Sequence, residues 1–166
     1  MSVRKTILTQ TQAAQKLHRM ALELAENLSG DNSPLVIIGV RHNGEVMAAQ
    51  LAGFFSLYDS RPVQLRWVQM DKSKPDAVEL SEDGNLNGAH LLLVDDVTNS
   101  GKTLLYALKP LLQFHPASIR TLVLVERMHK QFPVKADFVG LSLATTLQEH
   151  IQVEVENGVV TGAFLQ

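Results

Sequence analysis

The chain has 166 residues, a formal net charge of −2, 45% hydrophobic and 19% charged residues, and no cysteine. That composition fits one globular domain with a real core; it excludes a disordered chain, a bilayer span of ~20 apolar residues, disulfides and thiolate metal sites. Near-neutral charge argues against strong sequence-independent nucleic-acid binding, and the polar start MSVRKTILTQTQ does not read as a signal peptide. A cytoplasmic protein with no membrane partner is therefore expected.

Along the chain, Leu17, Met20, Ala21, Leu24 and Leu28 recur at helical spacing, and Ser29-Gly30 supplies a stop. Residues 34–40 form an apolar strand, 44–57 a helix, and 63–68 alternate as a strand does. Residues 71–88 are polar, carry Pro75, Gly84 and Gly88, and have little to fold around. The pattern then predicts a central strand over 90–95, a helix over 102–114 and a strand over 120–126. Short strands are predicted at 138–143, 151–155 and 159–165. Strands alternating with helices predict an α/β fold, with a mostly parallel sheet flanked by helices on both faces. Ligands of such sheets bind at the carboxyl ends of the strands, where the segments starting at Arg41 and Asp95 both fall.

The segment LLLVDDVTNSGKTL, residues 91–104, carries the chemistry. A buried strand runs into two adjacent carboxylates, Asp95 and Asp96. The small polar loop Thr98-Asn99-Ser100-Gly101-Lys102-Thr103 follows and opens a helix. Such a loop offers backbone N–H groups and a helix N-terminus to a phosphate. The carboxylates suit hydroxyls or a metal ion. A phosphorylated ribose with a diphosphate arm combines these groups. Gly101-Lys102-Thr103 resembles the end of a Walker A loop, but that loop needs glycine where Asp96 stands. An ordinary strand–turn–helix junction is the plainer alternative, yet a turn needs one such carboxylate and adjacent pairs repel.

With these residues the chain resembles type I phosphoribosyltransferases, and among them the pyrimidine-operon regulator and uracil phosphoribosyltransferase (PyrR-like) family. Ile37 to Gly44 resembles that family's pyrophosphate loop. Leu124-Val125-Glu126-Arg127, with the run from Phe132 to Gly140, resembles its late strand and proline turn. The resemblance implies a single domain over 1–166, with a flexible loop at about 71–88 and a hood at about 140–166 that takes an N-terminal contribution. It implies transfer of the 5-phosphoribosyl group from phosphoribosyl diphosphate to a nucleobase, uracil favoured, giving a nucleoside monophosphate and pyrophosphate with Mg2+. Asp95 and Asp96 would hold the ribose hydroxyls directly or through metal-bound water. Thr98 to Thr103 would hold the 5′-phosphate, and Arg41, His42, Asn43 and Gly44 the pyrophosphate, although His42 reads equally as a solvated loop residue. Asp71, Lys72 and Ser73 would belong to a closing lid, and Thr145 and Thr146 would face the base or simply cap a turn.

The chain also departs from the family pattern. His42-Asn43-Gly44 replaces the usual Thr-Arg-Gly, leaving the arginine at Arg41, and Asn99 stands where related purine enzymes carry an aspartate. The alternative implied function is a regulator that senses phosphoribosyl diphosphate or nucleotides and binds RNA through Arg19, His129, Lys130 and Lys135, with weak or no catalysis. Leu141 stands where those regulators carry a basic residue. Self-association as a dimer or larger assembly is also implied.

Overall fold

The computed structural model describes residues 3–71, 73–74, 76–82, 84–146 and 148–166; Lys72 of the expected lid lies outside them. The elements are β1 (Lys5–Thr9), α1 (Gln10–Asn27), β2 (Leu35–Val40), α2 (Asn43–Phe55), β3 (Val63–Met70), β4 (Val78–Leu80) and β5 (His90–Thr98). They continue with α3 (Lys102–Ala107), a 3-10 turn (Lys109–Leu111), β6 (Ser118–Arg127), β7 (Phe138–Leu143), β8 (Ile151–Glu156) and β9 (Val159–Leu165). Six strands form one sheet in the order β4-β3-β2-β5-β6-β7, parallel throughout except for the antiparallel edge strand β4. A second, antiparallel sheet has the order β1-β9-β8.

The inner strands are apolar because both of their faces are covered. Ile37, Leu92, Val94, Leu122 and Leu124 pack with α1 and α2 in one core. Their alternates Val36, Ile38, Leu91, Leu93 and Val123 pack with Leu104, Ala107 and Leu111 in another. Helix α1 begins with a capping box, Thr9 accepting from the Gln12 N–H while the Gln12 side chain accepts from Thr9 N–H. Its Arg19 donates to the carbonyls of Val139 and Gly140 at 2.9 and 3.1 Å, docking α1 onto β7.

Three expectations change. The helix expected over 102–114 ends at Ala107. Pro110 has no N–H to donate and disfavours helical geometry at Lys109, so a 3-10 turn takes over. The stretch 71–88 is not loop throughout: Val78–Leu80 pairs with β3, and Leu86 is fully buried in the second core. β4 and Leu86 thus give part of this stretch a fixed place in the fold. Finally, residues 138–143 pair with β6 in the large sheet, so the small sheet takes up 151–156, 159–165 and the N-terminal strand rather than all of 140–166.

At the amino ends of the strands, His90 bridges Ser118 Oγ (Nδ1, 2.6 Å) and Asp31 Oδ2 (Nε2, 2.9 Å). The Ser33 N–H and hydroxyl, with His90 in support, hold the Asp31 carboxyl far below its usual 3.8. A depressed carboxylate pKa contributes stability above the ordinary value and loses it as pH falls toward the depressed one. Asp31→Asn should therefore melt below the wild type at neutral pH. That gap should close as the pH is lowered from about 5 to 2, which thermal melts across the range would read.

Candidate functional site

The chain runs β2–α2–β3 toward one side of the large sheet and β5–α3–β6 toward the other. The strand order therefore reverses between neighbours β2 and β5, and the loops after both open into one crevice. Helix α2 starts hard against β5. A Cβ on Gly44 would lie 2.4 Å from the Val94 carbonyl oxygen, so only glycine admits this approach.

That contact sets Asn43 over the acidic pair. Its Nδ2 donates to Asp96 Oδ2 and to the Val153 carbonyl, both at 2.9 Å, joining the loop after β2, the end of β5 and the small sheet. Asp95 is buried, and its Oδ1 accepts the Asp96 N–H at 2.9 Å. Asp96 is half-buried, and its Oδ1 accepts the Val97 N–H at 2.8 Å. These backbone bonds offset the repulsion of neighbouring carboxylates by fixing where each points.

The loop after β5 is built from several directions. Ser100 O accepts the N–H groups of Gln131 and Phe132 at 2.9 and 3.0 Å, and Ser100 Oγ accepts from Lys102 N at 3.3 Å. Lys130 Nζ donates to the carbonyls of Asn99 and Arg127 at 3.2 and 2.9 Å, with Thr98 O and Oγ1 at 3.5 Å. Burial pushes the Lys130 ammonium below its ordinary pKa, while Glu126 at 3.7 Å opposes the shift. Gly101 has φ +89°, and a Cβ there would press on the Val134 and Phe132 carbonyls at 3.2 and 3.3 Å. Because α3 has only six residues, its dipole is a minor contribution, and the turned backbone N–H groups of the loop are what an anion would meet here.

A cavity of about 510 Å3 lies over Asp95 to Leu104, with Asn43 at one edge and Ile151, Gln152 and Val153 of β8 as its wall. A second cavity, about 350 Å3, is lined by Arg41, His42, Asn43, Gln69, Met70 and Asp96. The two share Asn43 and Asp96. Arg41 reaches the second through a fixed side chain: it stacks 3.6 Å above the Trp67 ring, pairs with Glu45 at 2.9 Å and donates to Gln69 at 3.2 Å. His42 is exposed and makes no capping bond to α2. Asp71 accepts from the Ser73 N–H and hydroxyl, which lower its pKa.

The structure thus gathers Arg41 to Gly44 and Asp95 to Thr103 around one crevice. Thr145 and Thr146 are not in the lining of either cavity. Arg127 binds both, Nε to Thr145 Oγ1 at 2.7 Å and Nη2 to the Thr146 carbonyl at 2.6 Å. Ile151 to Val153 stand at the cavity wall in their place; the sequence signals a strand there, but not which sheet it joins. Of the basic residues expected on an RNA face, Arg19, His129 and Lys135 are exposed and Lys130 is half-buried, and three of the four also bond within the protein. Arg19 docks α1, Lys130 holds the loop after β5, and His129 bonds the Thr145 carbonyl at 3.3 Å, while Lys135 is exposed.

Oxygen-rich Mg2+ sites usually combine one or two carboxylates with water and ligand phosphates. Among the described residues no group of three or more His, Asp or Glu is placed to hold a metal ion. Asp96 at the joint of the two cavities, with Asp95 beside it in the lining of the first, fits a magnesium ion that arrives with a phosphorylated ligand.

The sequence matches the phosphoribosyl transferase domain family over residues 3–157. It is 30% identical to the "Bifunctional protein PyrR" of Macrococcus caseolyticus, covering 92% of each chain. Against the protein of that name from Corynebacterium diphtheriae it is 32% identical, covering 90% of this chain and 86% of the other. Among solved structures, the hypoxanthine phosphoribosyltransferase of Trypanosoma cruzi superposes with a TM-score of 0.77 at 20% identity, covering 95% of this chain and 96% of that one. The Staphylococcus aureus hypoxanthine phosphoribosyltransferase gives 0.72 at 16% identity, covering 89% and 80%. At those identities the structural likeness shows the shared fold.

Gly101→Ala tests the cradle. The left-handed backbone and the two carbonyl contacts should cost roughly 1–3 kcal/mol, seen as a lower Tm. Calorimetric affinity for ribose 5-phosphate should fall with it.

Proposed function

Since this chain belongs to the phosphoribosyl transferase domain family, we propose that it transfers the 5-phosphoribosyl group of phosphoribosyl diphosphate to uracil and releases pyrophosphate. The observation that carries this reading is the pair of cavities meeting at Asn43 and Asp96. One cavity suits the 5′-phosphate and ribose, the other the diphosphate, and Asp96 stands at the joint between them with Asp95 beside it.

In this reading the 5′-phosphate sits on the backbone N–H groups of Thr98 to Thr103, with the Ser100 and Thr103 hydroxyls beside it. Asp95 and Asp96 take the ribose hydroxyls. Arg41 lends its charge to the diphosphate from its place on Trp67, and Gly44 lets the backbone come close. Magnesium bound with the ligand would neutralise charge on the departing diphosphate. The bond from ribose C1 to the diphosphate oxygen breaks, its electrons leave with pyrophosphate, and a ring nitrogen of the base bonds to C1 and gives up its proton. Positive charge develops on the ribose ring as in glycoside chemistry, so fixed carboxylates beside it favour the transition state. Ile151, Gln152 and Val153 would border the acceptor. Asn99 takes no proton at neutral pH, which suits uracil, whose ring N–H is itself acidic. In this reading the segment after β3 that carries Asp71 and Ser73 would act as a lid that excludes water. No helix of the described residues is long and apolar enough to cross a membrane; a cytoplasmic reaction is part of the proposed reading because its phosphorylated substrate would be cytoplasmic.

A regulatory reading, RNA binding under the control of the same ligand, draws on the relatives named bifunctional. In that reading the exposed Arg19, His129 and Lys135 would supply the charge for RNA.

Incubation with Mg2+, phosphoribosyl diphosphate and each of uracil, hypoxanthine, guanine, adenine and orotate tests the proposal. Pyrophosphate release is expected with uracil. Asp95→Asn and Asp96→Asn should each lower kcat/KM by about 100-fold or more, the scale on which loss of one transition-state partner acts. Release with hypoxanthine and not uracil would overturn the acceptor assignment. Release with none of the five would overturn the transfer reading.

A further inference from the structure

Arg127 stands at the carboxyl end of β6 and touches two separate parts of the site. Its Nε donates to Thr145 Oγ1 at 2.7 Å and its Nη2 to the Thr146 carbonyl at 2.6 Å, while Nη1 lies 3.5 Å from Asn99 Oδ1 in the phosphate cradle. Its own carbonyl accepts from Lys130 Nζ at 2.9 Å, and the same ammonium holds the Asn99 carbonyl. On the far side Thr146 N–H donates to Glu149 Oε2 at 2.7 Å. His150 exchanges two backbone bonds with Gln166 before the chain enters β8. The first three residues of β8 are the wall of the larger cavity.

We infer that Arg127 is a positioning residue for the acceptor base. It braces the connection from β7 to β8 against the phosphate cradle, so that the wall formed by Ile151 to Val153 keeps a fixed distance from the sugar phosphate. This rests on the reading that a base enters beside that wall. An arginine is needed because its planar fork aims several donors in set directions at acceptors on different segments. A lysine offers the same charge from one nitrogen, without the fork that sends separate donors to Thr145, Thr146 and Asn99. Residue 127 therefore acts through geometry. Removing it should loosen the base side of the site while the 5′-phosphate cradle, held independently by Lys130 and by the Gln131 and Phe132 N–H groups, stays formed.

Two measurements on Arg127→Ala and Arg127→Lys test this. In steady-state kinetics, Arg127→Ala should raise KM for uracil roughly tenfold and change KM for phosphoribosyl diphosphate by less than about twofold. Arg127→Lys should fall clearly short of the wild type. Equal losses on both substrates, no loss, or full rescue by lysine would overturn the inference. Hydrogen exchange on the ligand-free proteins needs no activity. The peptide carrying Thr145 and Thr146 should exchange faster in both variants, with the cores unchanged, and unaltered exchange there would overturn the inference. If the wild type transfers to no base, the function proposed above falls, and the exchange result alone decides whether the brace exists.

Discussion

The pairing of β2 with β5 in the middle of the large sheet is the constraint on which the site depends. These two parallel strands align Gly39 with Val94, and their crossovers leave in opposite directions. Nothing has to be recruited from a distance to make a crevice there; the reversal of strand order leaves one open. Gly44 then brings α2 against the Val94 carbonyl, and Asn43 at the start of that helix bonds Asp96 and Val153. A change that pushed α2 outward would separate the two cavities and release the small sheet together.

Much of this was legible in the sequence, and the reasons differ by element. The runs 35–40 and 91–94 are apolar on both faces and announce a buried parallel sheet. The acidic pair and the small-residue loop are contiguous, so their chemistry could be read locally. The N-terminal strand Lys5–Thr9 was not legible, because its pattern is weak and its partner β9 lies at the other end of the chain. Val78–Leu80 and Leu86 were hidden in a polar stretch whose few apolar residues each fill a place made by distant neighbours. Ile151 to Val153 read only as a strand. That they wall the site follows from the Asn43 bond to Val153, a contact across 110 residues.

The basic residues illustrate a second limit. In the sequence, Arg19 and Lys130 read as charge available to an RNA partner, while Arg127 closes a late strand with no role of its own. In the fold each spends its donors on protein carbonyls or side chains: Arg19 on Val139 and Gly140, Lys130 on Asn99 and Arg127, Arg127 on Thr145 and Thr146. Charge-assisted bonds to carbonyl oxygens at loop ends hold backbone in place more firmly than neutral ones. Here such bonds surround the site, so the positive residues nearest to it serve first to shape it. Arg41, held by Trp67, Glu45 and Gln69, follows the same rule at the diphosphate end.

A crystal structure of the protein with phosphoribosyl diphosphate and Mg2+ would show which groups hold the ligand. The 5′-phosphate is expected on the backbone of residues 98–103, the ribose hydroxyls at Asp95 and Asp96, and the diphosphate beside Arg41 to Gly44. Asn43 is expected to remain between the two cavities. A ligand bound elsewhere, or one confined to the larger cavity with its diphosphate directed away from Arg41, would contradict this arrangement.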